Sequence, residues 1–393
     1  MLVSIAIMLL LGMFMGWVCK KVHLPSMLGM IVTGMVLGPY ALNLLDREIL
    51  NLSADLRRIA LIIILMRAGL SLNIEDLKKV GRPAILMCFV PACFEIIGMM
   101  ILAPPLLGIS LMQAALMGAV VGAVSPAVIV PKMLKLMEEG YGTKQGIPQL
   151  LLAGASVDDV FVIVIFTVFL GLEQTGEFAA ASLLQIPVSI ALGIAGGVLV
   201  GYLLAVFFEQ VHMRDTAKVI ILLSFAFLLV TIEDWVGNII PFSGLLAIMS
   251  IGIALQKKRG IVVPRLSSKF SKLWVVAEIM LFVLVGATVD IRFAVSAGLA
   301  AVLVLLGVLL FRMLGVFCCL IMTPLSMKER LFCMIGYMPK ATVQAAIGGI
   351  PLTMGLDCGN LILTVAVLAI LITAPLGAFL IELTYKRLLQ KEA

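Results

Sequence analysis

The chain has 393 residues, 63% of them hydrophobic and 13% charged, with a formal net charge of +6. A mean hydropathy of +1.21 is more apolar surface than a water-soluble fold can cover, so the sequence reads as an all-α polytopic membrane protein whose partner is the lipid bilayer. Its positive charge gathers in short loops and gives no reason to expect a nucleic-acid partner. The seven cysteines contain no CxxC pair, and His23 and His212 both lie beside loops. These features argue against a disulfide framework or a histidine-ligated metal centre, and no cofactor is implied.

In chain order, about thirteen apolar spans lie near 2–19, 25–42, 55–72, 83–104, 110–136, 148–172, 180–207, 216–235, 237–255, 270–291, 296–322, 328–355 and 359–384. Each approaches the roughly 20 apolar residues that a membrane helix needs. The first, Leu2 to Cys19, has no basic residues before it and no small-residue cleavage site, and reads as a retained helix. The fourth carries Phe94-Glu95-Ile96-Ile97-Gly98, and the eleventh carries the same frame with the charge reversed, Phe311-Arg312-Met313-Leu314-Gly315. The span after each is interrupted, at Ser125-Pro126 through Pro131 and at Gly336 through Thr342, where Pro339 precedes Lys340. These matches predict two inverted six-helix repeats, 1–172 and 216–384, joined by a connecting helix at 180–207. Inverted repeats with a broken helix in each half point to a secondary transporter with a site near the midplane. Loop lysines and arginines lie almost wholly in loops that follow odd-numbered spans, with only Arg47, Arg57, Arg58 and Arg292 opposite. The positive-inside rule then puts the N-terminus outside and the C-terminus in the cytoplasm.

Ionisable residues well inside spans are few: the bases Arg67, Arg312 and Lys340, and the acids Glu95, Asp158, Asp159 and Glu278. A charge at membrane depth costs several kcal/mol and marks function by default. Asp158 and Asp159 lie about 100° apart around a helix, so one can face an ion cavity while its neighbour faces another helix. A partly desolvated carboxylate accepts either a proton or a hard cation, and competition between the two is what an antiporter needs. Pseudo-symmetry suggests that Glu95 pairs with Arg312, although Arg312 is equally able to pair with Asp158. Lys340 is placed to neutralise carbonyl ends at the break, and Ser125, Pro126, Ser156 and Thr342 are candidate coordinating or break residues. An intramembrane aspartyl protease needs aspartates on separate helices, so adjacent ones on a single helix argue for a transporter and not an enzyme.

Gly154-Ala155-Ser156-Val157-Asp158-Asp159 resembles the double-aspartate motif of monovalent cation:proton antiporters. Pro339-Lys340-Ala341-Thr342-Val343-Gln344-Ala345-Ala346 resembles the signature of the NHA subfamily, whose animal members are sodium/proton exchangers. Ser125-Pro126-Ala127-Val128, Arg67-Ala68-Gly69-Leu70, and Leu24 through Met30 with Gly38-Pro39 also match, so the similarity covers essentially the whole chain. The resemblance implies an NhaA-like fold with crossed broken helices, in a homodimer. Ion-transport core helices would lie at about 83–172 and 296–384, and dimer or scaffold helices at about 2–42 and 180–291. It implies elevator-type exchange of Na⁺ or Li⁺ for H⁺ in a bacterial-type inner membrane, with Asp159 holding cation and proton and Asp158 assisting. K⁺/H⁺ antiport and sodium-coupled solute symport remain the alternatives. Electrogenic relatives carry a lysine where this chain has Arg312. Arginine does not readily release its proton, which argues against two protons per cation and allows one-for-one exchange, with electrogenic and electroneutral stoichiometry both left open.

Overall fold

The computed structural model describes residues 1–22, 24–71, 81–175, 180–236, 241–258 and 260–391, and its regular elements are helices. In order these are α1 (Leu2–Lys21), α2 (Ser26–Leu37), α3 (Arg47–Asn51), α4 (Ser53–Ser71), α5 (Arg82–Met87), α6 (Val90–Leu107), α7 (Leu111–Val121), α8 (Pro126–Glu139), α9 (Ile147–Thr175) and α10 (Ala180–Gln210). They continue as α11 (Asp215–Val236), α12 (Gly244–Lys258), α13 (Val263–Thr288), α14 (Ile291–Cys319), α15 (Met327–Gly336), α16 (Thr342–Ile347), α17 (Ile350–Thr353) and α18 (Gly359–Leu388). Among the described residues, eight helical stretches are long and apolar enough to cross a bilayer by length and composition, and Ser26–Leu37 and Phe161–Glu173 are shorter apolar helices. Leu199, Leu310 and Phe379 are among the large apolar side chains left on the surface, as a lipid-facing exterior requires. With lipid outside, burial of apolar surface adds little, so packing and hydrogen bonds must hold the helices together.

The chain divides into two compact units, one of residues 1–54, 74–174 and 279–393, the other of 55–73 and 175–278. In the second unit α10 lies against α12 along the small residues Gly193, Gly197 and Gly201, which approach the backbone of Ser243, Ala247 and Ile251. In the first unit a hydrophobic cluster that includes Met87, Ile129, Leu151, Val316, Phe332 and Ile381 joins α5, α8, α9, α14, α15 and α18.

Prolines decide where the spans break. A proline lacks an N–H and clashes with the carbonyl four residues earlier. Pro126 thus separates α7 from α8 and frees the carbonyl of Gly122. Pro91 acts the same way on Met87, so the fourth apolar span is itself two helices, α5 and α6. The halves that precede the two main breaks start alike. Ser110 and Gln113 form a reciprocal capping box on α7, and Ser326 and Glu329 form one on α15. Glu95 and Arg312 are 217 positions apart, and the two capping serines keep that separation to within one residue.

Candidate ion-binding site

Buried backbone groups released by a helix break need partners, and here several are met by a side chain or by the other break. At the first break, Val124 N donates to Asp158 Oδ2 at 2.8 Å, and Ser125 N donates to the Pro339 carbonyl of the second break at 2.8 Å. The Gln344 amide donates to the carbonyls of Ala123 at 2.7 Å and Val121 at 3.2 Å. Its own oxygen accepts from Ala341 N at 2.8 Å. Arg312 donates to the proline-freed carbonyl of Gly122 and, through Nε, to the Tyr337 carbonyl at 2.7 Å. Lys340 N donates to Thr373 Oγ1 at 2.9 Å, and the Tyr337 hydroxyl donates to the freed Met87 carbonyl at 2.9 Å. The two breaks are therefore held as one unit.

The charges lie on the same frame. Arg312 has no exposed surface. Its Nη1 donates to Glu95 Oε2 at 2.6 Å and its Nη2 to Asp158 Oδ2 at 3.0 Å. Both pairings left open by the sequence are present together. Lys340 Nζ donates to the same Glu95 oxygen at 2.5 Å. The sequence reading assigned Lys340 to carbonyl ends, but its ammonium meets a carboxylate, and Arg312 and Gln344 serve the carbonyls instead. The reason is geometric. A guanidinium presents five donors in a planar fork and can serve several acceptors at once, whereas an ammonium is a compact point charge.

The two five-residue frames pack on each other. A Cβ on Gly98 would fall 2.7 Å from the Phe311 ring, and one on Gly315 would fall 3.0 Å from Phe94. Each glycine thus receives the phenylalanine of the other frame, and this close approach brings Glu95 to Arg312.

Asp159 stands apart from this network. Its Oδ1 is buried and has no hydrogen-bond partner among the described residues. The same is true of Asp158 Oδ1, of Ser125 Oγ at the first break, and of Thr342 Oγ1 at the start of α16. These oxygens are hard donors suited to a small monovalent cation. Pro126 is the helix breaker and offers no side-chain oxygen. The side chain of Ser156 lies outside the described residues. Gln344 and Tyr337 were not singled out from sequence. Gln344 had a readable signal, since it stands three residues after Ala341 at a helix start, the spacing of a capping glutamine.

Two outcomes follow for stability. Arg312→Met should lower it by about 3–5 kcal/mol, the cost of stripping the partner from a buried charge pair. Arg312→Lys should recover only part of that loss. Thermal unfolding in detergent measures both, and an unchanged midpoint in Arg312→Met would refute the central role given to this guanidinium. Gln344→Leu should cost about 1–3 kcal/mol for each backbone group left unpaired. Hydrogen exchange should then speed up at both breaks together, whereas a change at only one would show that Gln344 does not join them.

The sequence matches the family described as "Sodium/hydrogen exchanger, transmembrane" over residues 5–386. It is 34% identical to mouse sodium/hydrogen exchanger 9B2 over 384 residues, covering 94% of this chain and 69% of that protein. It is 30% identical to human sodium/hydrogen exchanger 9B1 over 381 residues, covering 94% and 73%. Its fold resembles that of the sodium proton antiporter MjNhaP1 of Methanocaldococcus jannaschii at pH 8, with a TM-score of 0.87, 21% identity, and coverage of 98% of this chain and 97% of that one. A family match over nearly the whole length, joined to a buried charge network between broken apolar helices, makes this chain an integral membrane protein of the transmembrane sodium/hydrogen exchanger family.

Proposed function

We propose that the chain is a secondary active antiporter that exchanges Na⁺ or Li⁺ for H⁺, with both ions competing for Asp159. The observation that carries this reading is the contrast between the two aspartates. Asp158 is tied by Arg312 and by the Val124 amide, while Asp159 Oδ1 is buried without a partner among the described residues. A buried carboxylate cannot stay ionised and uncompensated without a cost of several kcal/mol. It needs a cation or a proton, and one carboxylate cannot hold both. Ser125 Oγ and Thr342 Oγ1 are the hydroxyls best suited to complete a cation's oxygen shell.

Charge counting supports a one-for-one stoichiometry. Glu95 and Asp158 are balanced by Arg312 and Lys340 through contacts of 2.5–3.0 Å. Asp159 then leaves one negative charge, which one Na⁺ or one H⁺ neutralises. The loaded site is neutral either way and the empty site is not, so the empty form is held back at low dielectric. Exchange becomes obligatory, one for one.

The surrounding architecture is part of the same proposal: thirteen membrane crossings in two inverted six-helix repeats, an N-terminus outside and a C-terminus in the cytoplasm of a cell membrane, and a homodimer. The paired frames around Gly98 and Gly315 and the paired capping boxes support the repeats, and the loop charges support the orientation. Glu95, Asp158, Asp159, Arg312 and Lys340 all belong to one compact unit. This is what elevator-type movement of the site as a body requires.

Asp159→Asn should abolish Na⁺-driven proton release from proteoliposomes yet leave the unfolding midpoint close to that of the unmodified protein. Full exchange in that variant would remove Asp159 from the site. Comparison of Na⁺, Li⁺ and K⁺ in the same assay reads selectivity. An imposed voltage reads stoichiometry, because each net charge moved would shift the exchange equilibrium roughly fiftyfold per 100 mV. One-for-one exchange predicts no shift.

A further inference from the structure

Away from the ion site, a second group of charges surrounds the loop between α10 and α11. Arg214, Lys218, Arg265 and Lys269 line an open cavity of about 700 Å³ together with His212 and Asp215. Asp215 is the one carboxylate lining it among the described residues, and it is already shared. Its Oδ1 lies 3.5 Å from Lys218 Nζ and its Oδ2 lies 3.4 Å from Arg265 Nε. Lys218 is buried, with only 8% of its side chain exposed, and its ammonium lies 5.9 Å from the centre of the Phe208 ring. Lys269 Nζ meets a hydroxyl, Thr216 Oγ1, at 3.4 Å and not an acid.

Four cations around one carboxylate leave the cavity strongly positive. Arg214 is exposed and Arg265 keeps 60% of its side chain exposed, so water and salt screen them, but buried Lys218 shares its one carboxylate with Arg265, and an anion among the four would offset their repulsion. We propose that this cavity is a phosphate-binding site, occupied by the anionic headgroup of a phospholipid or by a soluble phosphate. A phosphate supplies the missing negative charge and several acceptor oxygens. Arg214 and Arg265 offer forked donors for those oxygens, and Lys218 and Lys269 offer point charges. The loop charges assign this end of α10, α11 and α13 to the cytoplasmic face, where anionic lipids attract basic clusters. The cavity is large enough for a whole headgroup, with Phe208 and Val262 as apolar lining on its wall. The placement rests on the orientation proposed above, but the phosphate chemistry does not.

The test uses the full chain in two settings: nanodiscs of phosphatidylcholine with and without phosphatidylglycerol, and detergent with and without inorganic phosphate. The unfolding midpoint should rise with at least one of these anions. A rise with phosphatidylglycerol alone identifies the headgroup as the source, and a rise with inorganic phosphate in detergent identifies the soluble anion. The combined variant Arg214→Gln with Lys269→Gln should lose the rise, since each charge removed weakens binding about fivefold. Lys144→Gln, an exposed loop lysine elsewhere, should keep it. If the combined variant does not fold, Lys269→Gln alone gives the same contrast at about fivefold. Equal rises in unmodified and combined-variant protein, or no rise with either anion, overturn the proposal. Na⁺/H⁺ exchange in phosphatidylcholine proteoliposomes reports on the ion site separately, so failure of the one is not mistaken for failure of the other.

Discussion

One guanidinium organises the centre of this protein. Arg312 donates to two carboxylates, Glu95 and Asp158, and to two carbonyls, one from each broken helix. In water such a group would gain little from these partners, but inside apolar packing it cannot remain unpaired. The breaks expose carbonyls that need donors, the aspartate helix brings a carboxylate that needs a cation, and Arg312 meets both demands. The proline positions, the paired phenylalanine–glycine frames and the capping boxes all serve to put these groups within reach of it.

The arrangement ties down some of the buried acids and not others, and the proposed transport role falls to the one left untied. Glu95 is shared by Arg312 and Lys340, and Asp158 is held by Arg312 and a backbone amide. Both are committed to geometry. Asp159 has the same chemistry and the adjacent position, but the turn of the helix carries it away from Arg312. A site that must release its ion on each cycle needs one weakly committed ligand in a strongly committed frame. A second loosely held carboxylate here would leave two uncompensated charges and require two ions to neutralise them.

Much of this was legible in the sequence, and the parts that were not have physical reasons. The apolar runs, the breaks at Pro126 and Pro339, and the charge reversal between Glu95 and Arg312 follow from periodicity, proline chemistry and the cost of buried charge. The partner of Arg312 was not, because one guanidinium reaches several acceptors and spacing along the chain does not say how many lie around it. Lys340 sits beside a break, which suggested carbonyls. Its ammonium instead reaches Glu95, on a helix 245 positions away in sequence. Gln344 was overlooked because a neutral side chain in an apolar run stands out less than a charge, although it joins three backbone groups.

The identity of the base at position 312 then bears on energetics as well as on geometry. A lysine there would have three donors for four acceptors, leaving a buried carbonyl or carboxylate unpaired in some state of the cycle. It would also bring a group able to lose its proton, so that the charge of the frame itself varied during transport. Arginine removes both freedoms. The frame keeps a fixed charge and the breaks stay joined, and in the exchange proposed above the one protonation change required is that of the carboxylate that also takes the cation. Under that proposal coupling needs no separate gate between proton and cation, because neutrality of the buried site selects which forms of the carrier cross the membrane.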